Sequence, residues 1–141
     1  MQNHLYPAVI EEPYTNDFVV RFPDVPEAIT GADTREEALV NAADALAVAV
    51  EQYLKLGREV PAPSPLRKGQ YAVALDPAIA ARVLLSRAMT HQSLSKVALA
   101  ARMQRDEKVV RRILSGRGVS LDLMLDALRA VGVHPSLSVA D

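Results

Sequence analysis

"FVVRFPDVPEA", Phe18 to Ala28, is the stretch that decides how the first half of this chain folds. Phe18, Val20 and Phe22 alternate with Val19 and Arg21, the two-residue period of a half-buried strand. Two prolines then bracket an aspartate. Proline has no backbone N–H and a fixed φ, so Pro23 and Pro26 end the ladder at a defined edge. The result is a stiff, acidic, hydrophobic rim that admits two readings. Phe22 and Val25 are apolar anchors for a partner, with Asp24 and Glu27 as its charges. Or Phe22 is a core residue, and the prolines only end an edge strand safely.

Upstream, Leu5–Glu11 and Asp17–Phe22 read as two strands joined by the turn formers of "EPYTN". A short third strand is expected around Ala28–Thr30, closed by Gly31. "GADTREEALVNAADALAVAVEQYLKLG" then reads as a helix. Thr34 and Glu37 form a capping box, and Glu36 and Glu37 sit in the positive first turn. Leu39, Ala42, Ala43, Leu46, Val50, Tyr53 and Leu54 recur every three to four residues and mark the apolar face. Gly57 suits the left-handed position after the last turn.

"EVPAPSPLRKG" follows, and its alternating prolines favour an extended, semi-rigid segment. "QYAVALD" reads as a strand that returns to the first sheet. Beyond it the pattern is helical. Asp76-Pro77 is an N-cap with proline at the first helical position, opening a helix to about Met89 with Ile79, Val83 and Leu84 inward. Ser95 caps a helix to Arg102 with Leu94 as its staple, Asp106 caps "EKVVRRILS" ended by Gly116, and Ser120 caps "LDLMLDALRAV" ended by Gly132. The expected fold class is therefore an α+β first domain, βββαβ, followed by an all-α domain. Its divisions are 1–64, a linker or strand at 65–75, and 76–141.

Charge divides at the same place. The 141 residues carry a net charge of −1, yet residues 1–64 hold four basic against eleven acidic side chains and residues 65–141 twelve against six. An acidic half at −7 attracts a basic partner, and a half at +6 is a candidate for nucleic acid. The chain has no cysteine, so thiolate metal sites and disulfides are excluded. The start lacks a basic region followed by a long apolar run, and no segment has the apolar length of a membrane span, so a cytoplasmic protein is expected.

The helices 95–102 and 106–115 are short and about three residues apart, the spacing of a helix-turn-helix. In the second, Val110, Ile113 and Leu114 face one way and Glu107, Lys108, Arg111 and Arg112 the other. Guanidinium groups so placed read guanine edges or touch phosphates. Lys96 and Arg117 flank them as phosphate contacts. The competing explanation is a solvated helix face of no special meaning. A second DNA reader, a ribbon-helix-helix beginning at "QYAVALD", would point Gln70, Ala72 and Ala74 into the groove, and alanines make no hydrogen bonds to base edges.

Leu99 to Val133 resembles the Cro and phage-repressor type of helix-turn-helix through Leu99-Ala100, Gly116, Ser120-Leu121, Leu128 and Gly132-Val133. Gln104 stands where that family usually has glycine in the turn. The resemblance implies base-reading positions at Glu107, Lys108, Arg111 and Arg112 and phosphate positions at Lys96 and Ser115. It also leads us to expect a symmetric homodimer on a palindromic operator, since one such motif reads few bases. Association through the sheet domains would extend the dimer to a tetramer.

Tyr6 to Ser64 resembles the HicB antitoxin family. The residues that carry this are Tyr6, Ala8, Phe22-Pro23-Asp24-Val25-Pro26, Gly31, Asp33-Thr34, Glu37-Ala38, Asn41-Ala42 and Pro61-Ala62-Pro63-Ser64. Glu27-Ala28 stand where the family often has Gly-Cys. The resemblance implies a partial ribonuclease-H-like fold and a partner, a small basic HicA-like toxin that cleaves messenger RNA through a histidine. The antitoxin covers that site, and the complex represses its own operon. On this reading Phe22, Asp24, Val25 and Glu27 are the toxin-binding residues.

Catalysis is not expected. Ribonuclease H chemistry needs carboxylates converging on two metal ions, and Glu11, Glu12, Asp17 and Asp24 are dispersed over strand ends and turns. His4, His91 and His134 lack metal spacing, so no metal and no cofactor are expected. A stand-alone regulator whose acidic domain senses a small ligand is the competing class, and it requires an enclosed apolar pocket.

Overall fold

The computed structural model describes residues 4–139. Its elements run β1 (Leu5–Tyr14), β2 (Asp17–Arg21), β3 (Ile29–Ala32), α1 (Arg35–Lys55), β4 (Tyr71–Ala74), α2 (Pro77–His91), α3 (Lys96–Met103), α4 (Glu107–Ser115) and α5 (Leu121–Ala130). The class is α+β. The chain divides into two compact units between Ala80 and Ala81, inside α2.

The first unit is a four-stranded antiparallel sheet in the order β3-β2-β1-β4. β1 is longer than its sequence implied, because it continues through Pro13 and Tyr14 by means of a bulge. From Glu11 to Tyr14 it advances three residues while β2 advances two, from Val19 to Asp17. Asn16 closes the hairpin with a positive φ of 57°, which asparagine tolerates better than most side chains. β4 lies against β1 with Tyr6 opposite Val73, so "YAVA" is a strand of this chain's own sheet rather than a free ribbon.

The opening stretch folds as two consecutive turns. Val25 N–H donates to the Phe22 carbonyl (3.1 Å), and Ala28 N–H to the Val25 carbonyl (2.9 Å). Pro23 and Pro26 each take the second position of a turn, where a fixed φ is an advantage. Phe22, Val25 and Ala28 all become core residues as a result.

Thr34 caps α1 as its sequence suggests, its Oγ1 accepting from Glu37 N–H at 3.2 Å. The buried positions are Ala38, Ala42, Leu46, Ala49, Val50 and Tyr53, so the inward face is turned toward 38 and 49 and leaves Leu39, Ala43 and Leu54 half-buried. Alanines at the contact let the helix lie close to the sheet. Burying Leu46 fully contributes about 1.5–3 kcal/mol. At the far end Gly57 N–H donates to Leu54 and Arg58 N–H to Tyr53, the paired bonds that close a helix on a left-handed residue. Arg35 donates to the Tyr71 hydroxyl (2.9 Å) and stacks on the Phe18 ring (5.4 Å), tying the start of α1 to β4 and β2.

The second unit packs Leu85 and Met89 of α2, Leu99 and Ala100 of α3, Val110 and Ile113 of α4, and Leu123, Met124, Ala127 and Leu128 of α5 into one core. Ser95, Asp106 and Ser120 are all N-caps. The connection between α3 and α4 is three residues, Gln104 to Asp106.

Candidate functional site

α4 presents the cationic face expected of it. Lys108, Arg111 and Arg112 are exposed, Glu107 is half-buried, and Val110 and Ile113 are in the core. Asp106 Oδ1 accepts from Lys108 N–H (2.8 Å), which sets the start of the helix. The Glu107 carboxylate takes an Nη of Arg111 at 2.8 Å, one turn apart, so Arg111 is held along the helix while Lys108 and Arg112 stand clear. Ser115 turns its hydroxyl back to the Arg112 carbonyl (2.8 Å), and Arg117 lies exposed just beyond Gly116. Lys96 is exposed in the first turn of α3 and lines an open groove with Thr90, Ser93 and Leu114.

The basic charge of this half is not all available to a partner. Arg82 is 7% exposed, and its Nε donates to the Leu114 carbonyl at 3.1 Å. Arg102 donates to the Ala130 carbonyl (3.2 Å) and to Gln92 (3.1 Å), while Gln92 donates to the Val131 carbonyl (2.7 Å). Two arginines therefore cap helix C-termini, where unpaired carbonyls and the helix dipole favour a cation. Sequence reasoning missed both roles. The isolated arginine in the apolar run "AIAARVLL" was the only signal for the first.

At the acidic end the anchor assignment needs correcting. Phe22 is 1% and Val25 0% exposed, because the tandem turns aim both into the core. Neither offers surface to a partner. Asp24 binds inward as well, accepting from Ser64 N–H (2.8 Å) and the Ser64 hydroxyl (2.5 Å). Together with the Tyr6 hydroxyl on the Pro61 carbonyl (2.6 Å), this fastens the proline segment to the sheet unit. Replacing Asp24 would therefore loosen that attachment as well as remove a charge from the rim.

Glu27 remains exposed at its rim. Its carboxylate accepts from the Tyr53 hydroxyl (2.6 Å), and Arg58 lies 3.9 Å away while stacking on the Tyr53 ring at 4.6 Å. The tyrosine bond, aided by Arg58, holds the Glu27 carboxyl below the usual range, and the same bond raises the Tyr53 hydroxyl above its own. Beside Glu27 an open groove runs between α1 and β3, lined by Ile29, Thr30, Asn41, Asp44 and Val48 among others. Among the described residues no group of three or more histidines and carboxylates is placed to hold a metal ion. No helix among them is long and apolar enough to cross a membrane.

The family model for the HicB-like antitoxin of bacterial toxin–antitoxin systems matches residues 5–84, from the first strand into α2. The chain belongs to the HicB-like antitoxin family. Full-length relatives agree. It is 40% identical over 137 residues to Antitoxin HicB 2 of Photorhabdus laumondii, covering 96% of each chain. It is 36% identical to Antitoxin HicB 1 of the same organism, over 99% of this chain and 89% of that one. Antitoxin HicB of Escherichia coli K12 is 29% identical over 94% of this chain and 96% of its own length. The likeness to these HicB proteins thus extends through the helical unit, beyond the end of the family match. All three carry the name antitoxin.

Proposed function

We propose that this protein neutralises a small basic HicA-like ribonuclease toxin with its sheet unit and represses its own operon by binding operator DNA with its helical unit. Membership of the HicB-like antitoxin family carries the first half of the reading. A −7 charge over residues 1–64 suits a basic RNA-binding partner, since opposite charge speeds encounter while apolar contact prolongs it.

The exposed Lys108, Arg111 and Arg112 on a short capped helix, three residues from the helix before it, support the second half. On this reading α4 enters the major groove, Lys96, Ser115 and Arg117 meet phosphates, and two copies bind a palindrome through their helical units. Association of the sheet units extends the assembly to a tetramer. The domain roles follow as 1–64 for toxin, 65–75 as linker and strand, and 76–141 for DNA.

On this reading a small basic protein is expected to be encoded beside this gene, and co-expression with it tests both parts. Messenger-RNA cleavage should stop, the two proteins should co-purify, and the upstream region should be footprinted. Continued cleavage with no complex would reject the toxin assignment. A regulator that binds DNA alone would then be the reading to pursue.

A further inference from the structure

We infer that the outer face of α1, with the β3 edge beside it, is the surface that receives the toxin, through a basic amphipathic segment of that partner. This rests on the antitoxin reading above and replaces the Phe22–Val25 rim as the point of contact.

Val40 (65% exposed), Asp44 and Val48 (71% exposed) follow one another at four-residue intervals and form one stripe along α1. Ile29, 52% exposed, borders the same groove from β3. None of these apolar side chains serves the core. Valine also loses rotamer freedom in a helix, so two exposed valines do nothing for α1 that alanine would not do better. Asp44 makes no hydrogen bond or ion pair with the described residues, and Glu27 is the second carboxylate of the groove. Its lining contains no lysine or arginine.

Apolar contacts around an unmatched carboxylate suit a helix or strand that offers one lysine or arginine between apolar neighbours. A second copy of this chain is a poorer fit. An isologous contact would bring Asp44 against like charge with no cation in the groove to answer it. The β3 edge is also guarded, because the Asn41 amide donates to the Gly31 carbonyl at 3.1 Å. Side-chain docking along α1 therefore fits better than addition of a further strand at Gly31.

The test uses the full chain and the HicA-like toxin of the same operon, inactivated at its catalytic histidine, with affinity measured by calorimetry. Asp44→Lys and Val48→Glu should each weaken the complex by about tenfold or more, with thermal midpoint and operator binding unchanged because both residues are exposed. If the unaltered chain binds toxin and both variants bind it equally well, the surface is wrong and the antitoxin reading survives. If the unaltered chain binds no toxin, both fall together. Variants that change self-association in light scattering while leaving toxin affinity intact would assign the stripe to a second copy and overturn the inference.

Discussion

A Cβ built on Gly116 would lie 2.8 Å from Nη1 of Arg82. Gly116 ends α4 with φ at +75°, and Arg82 on α2 reaches across to the carbonyl of Leu114 in the same last turn. The buried arginine and the bare glycine are thus one device, fixing where the cationic helix stops.

Gly116→Ala should destabilise by about 1–2 kcal/mol from the left-handed backbone alone, and by more where Arg82 must move. Gly57→Ala has a similar φ of +67° and no neighbour within 4 Å, so it reports the backbone cost by itself. Urea unfolding of both separates the two effects. With Arg82→Ala as background, the extra cost at Gly116 should disappear, leaving a non-additive cycle.

Gln104 holds a left-handed φ of 54° at the end of α3, with its N–H on Ala101 and that of Arg105 on Ala100. Glycine takes this conformation without the Cβ penalty. Gln104→Gly should stabilise the protein by about 0.5–1 kcal/mol in thermal or urea unfolding. A loss of stability would mean that the side chain makes an interaction outweighing the backbone gain.

The Glu27–Tyr53 bond predicts a pH signature. Glu27 has a depressed pKa in the folded state, so its contribution is present above the unfolded glutamate value, about 4.3, and lost as pH falls through the folded value. Tyr53 is raised, so its contribution holds below about 10 and fades as pH rises through its folded pKa. Glu27→Gln should flatten the acid limb of the stability profile and lower the alkaline tyrosine titration. Spectrophotometric titration and melting temperatures across pH check the two ends.

On DNA, Arg112→Ala and Arg111→Ala should each cost about 1–3 kcal/mol of specific binding where the side chain reads a base. Lys96→Ala should weaken specific and nonspecific DNA alike and lower the salt slope by about one. Glu107→Ala removes the 2.8 Å partner of Arg111 and a negative charge, so it should raise nonspecific affinity while reducing discrimination. Fluorescence anisotropy at several salt concentrations, on operator and scrambled duplexes, distinguishes these cases. Operator affinity unchanged in both arginine variants would remove α4 from the reading role.

From the chain alone came the features governed by neighbours a few residues apart. The caps at Thr34, Ser95, Asp106 and Ser120 and the stops at Gly57, Gly116 and Gly132 are legible because a side chain or a φ value satisfies the adjacent helix end. The inward and outward sides of α4 follow from its 3.6-residue period in the same way. Tertiary structure alone decided which groups stay free for a partner. It turned Phe22 and Val25 into the core, put Asp24 on Ser64, and set Arg82 and Arg102 on helix ends, while leaving Val40, Asp44 and Val48 exposed. The physical reason is that burial and pairing depend on what lies across the fold, and those partners stand 28 to 40 positions away in sequence.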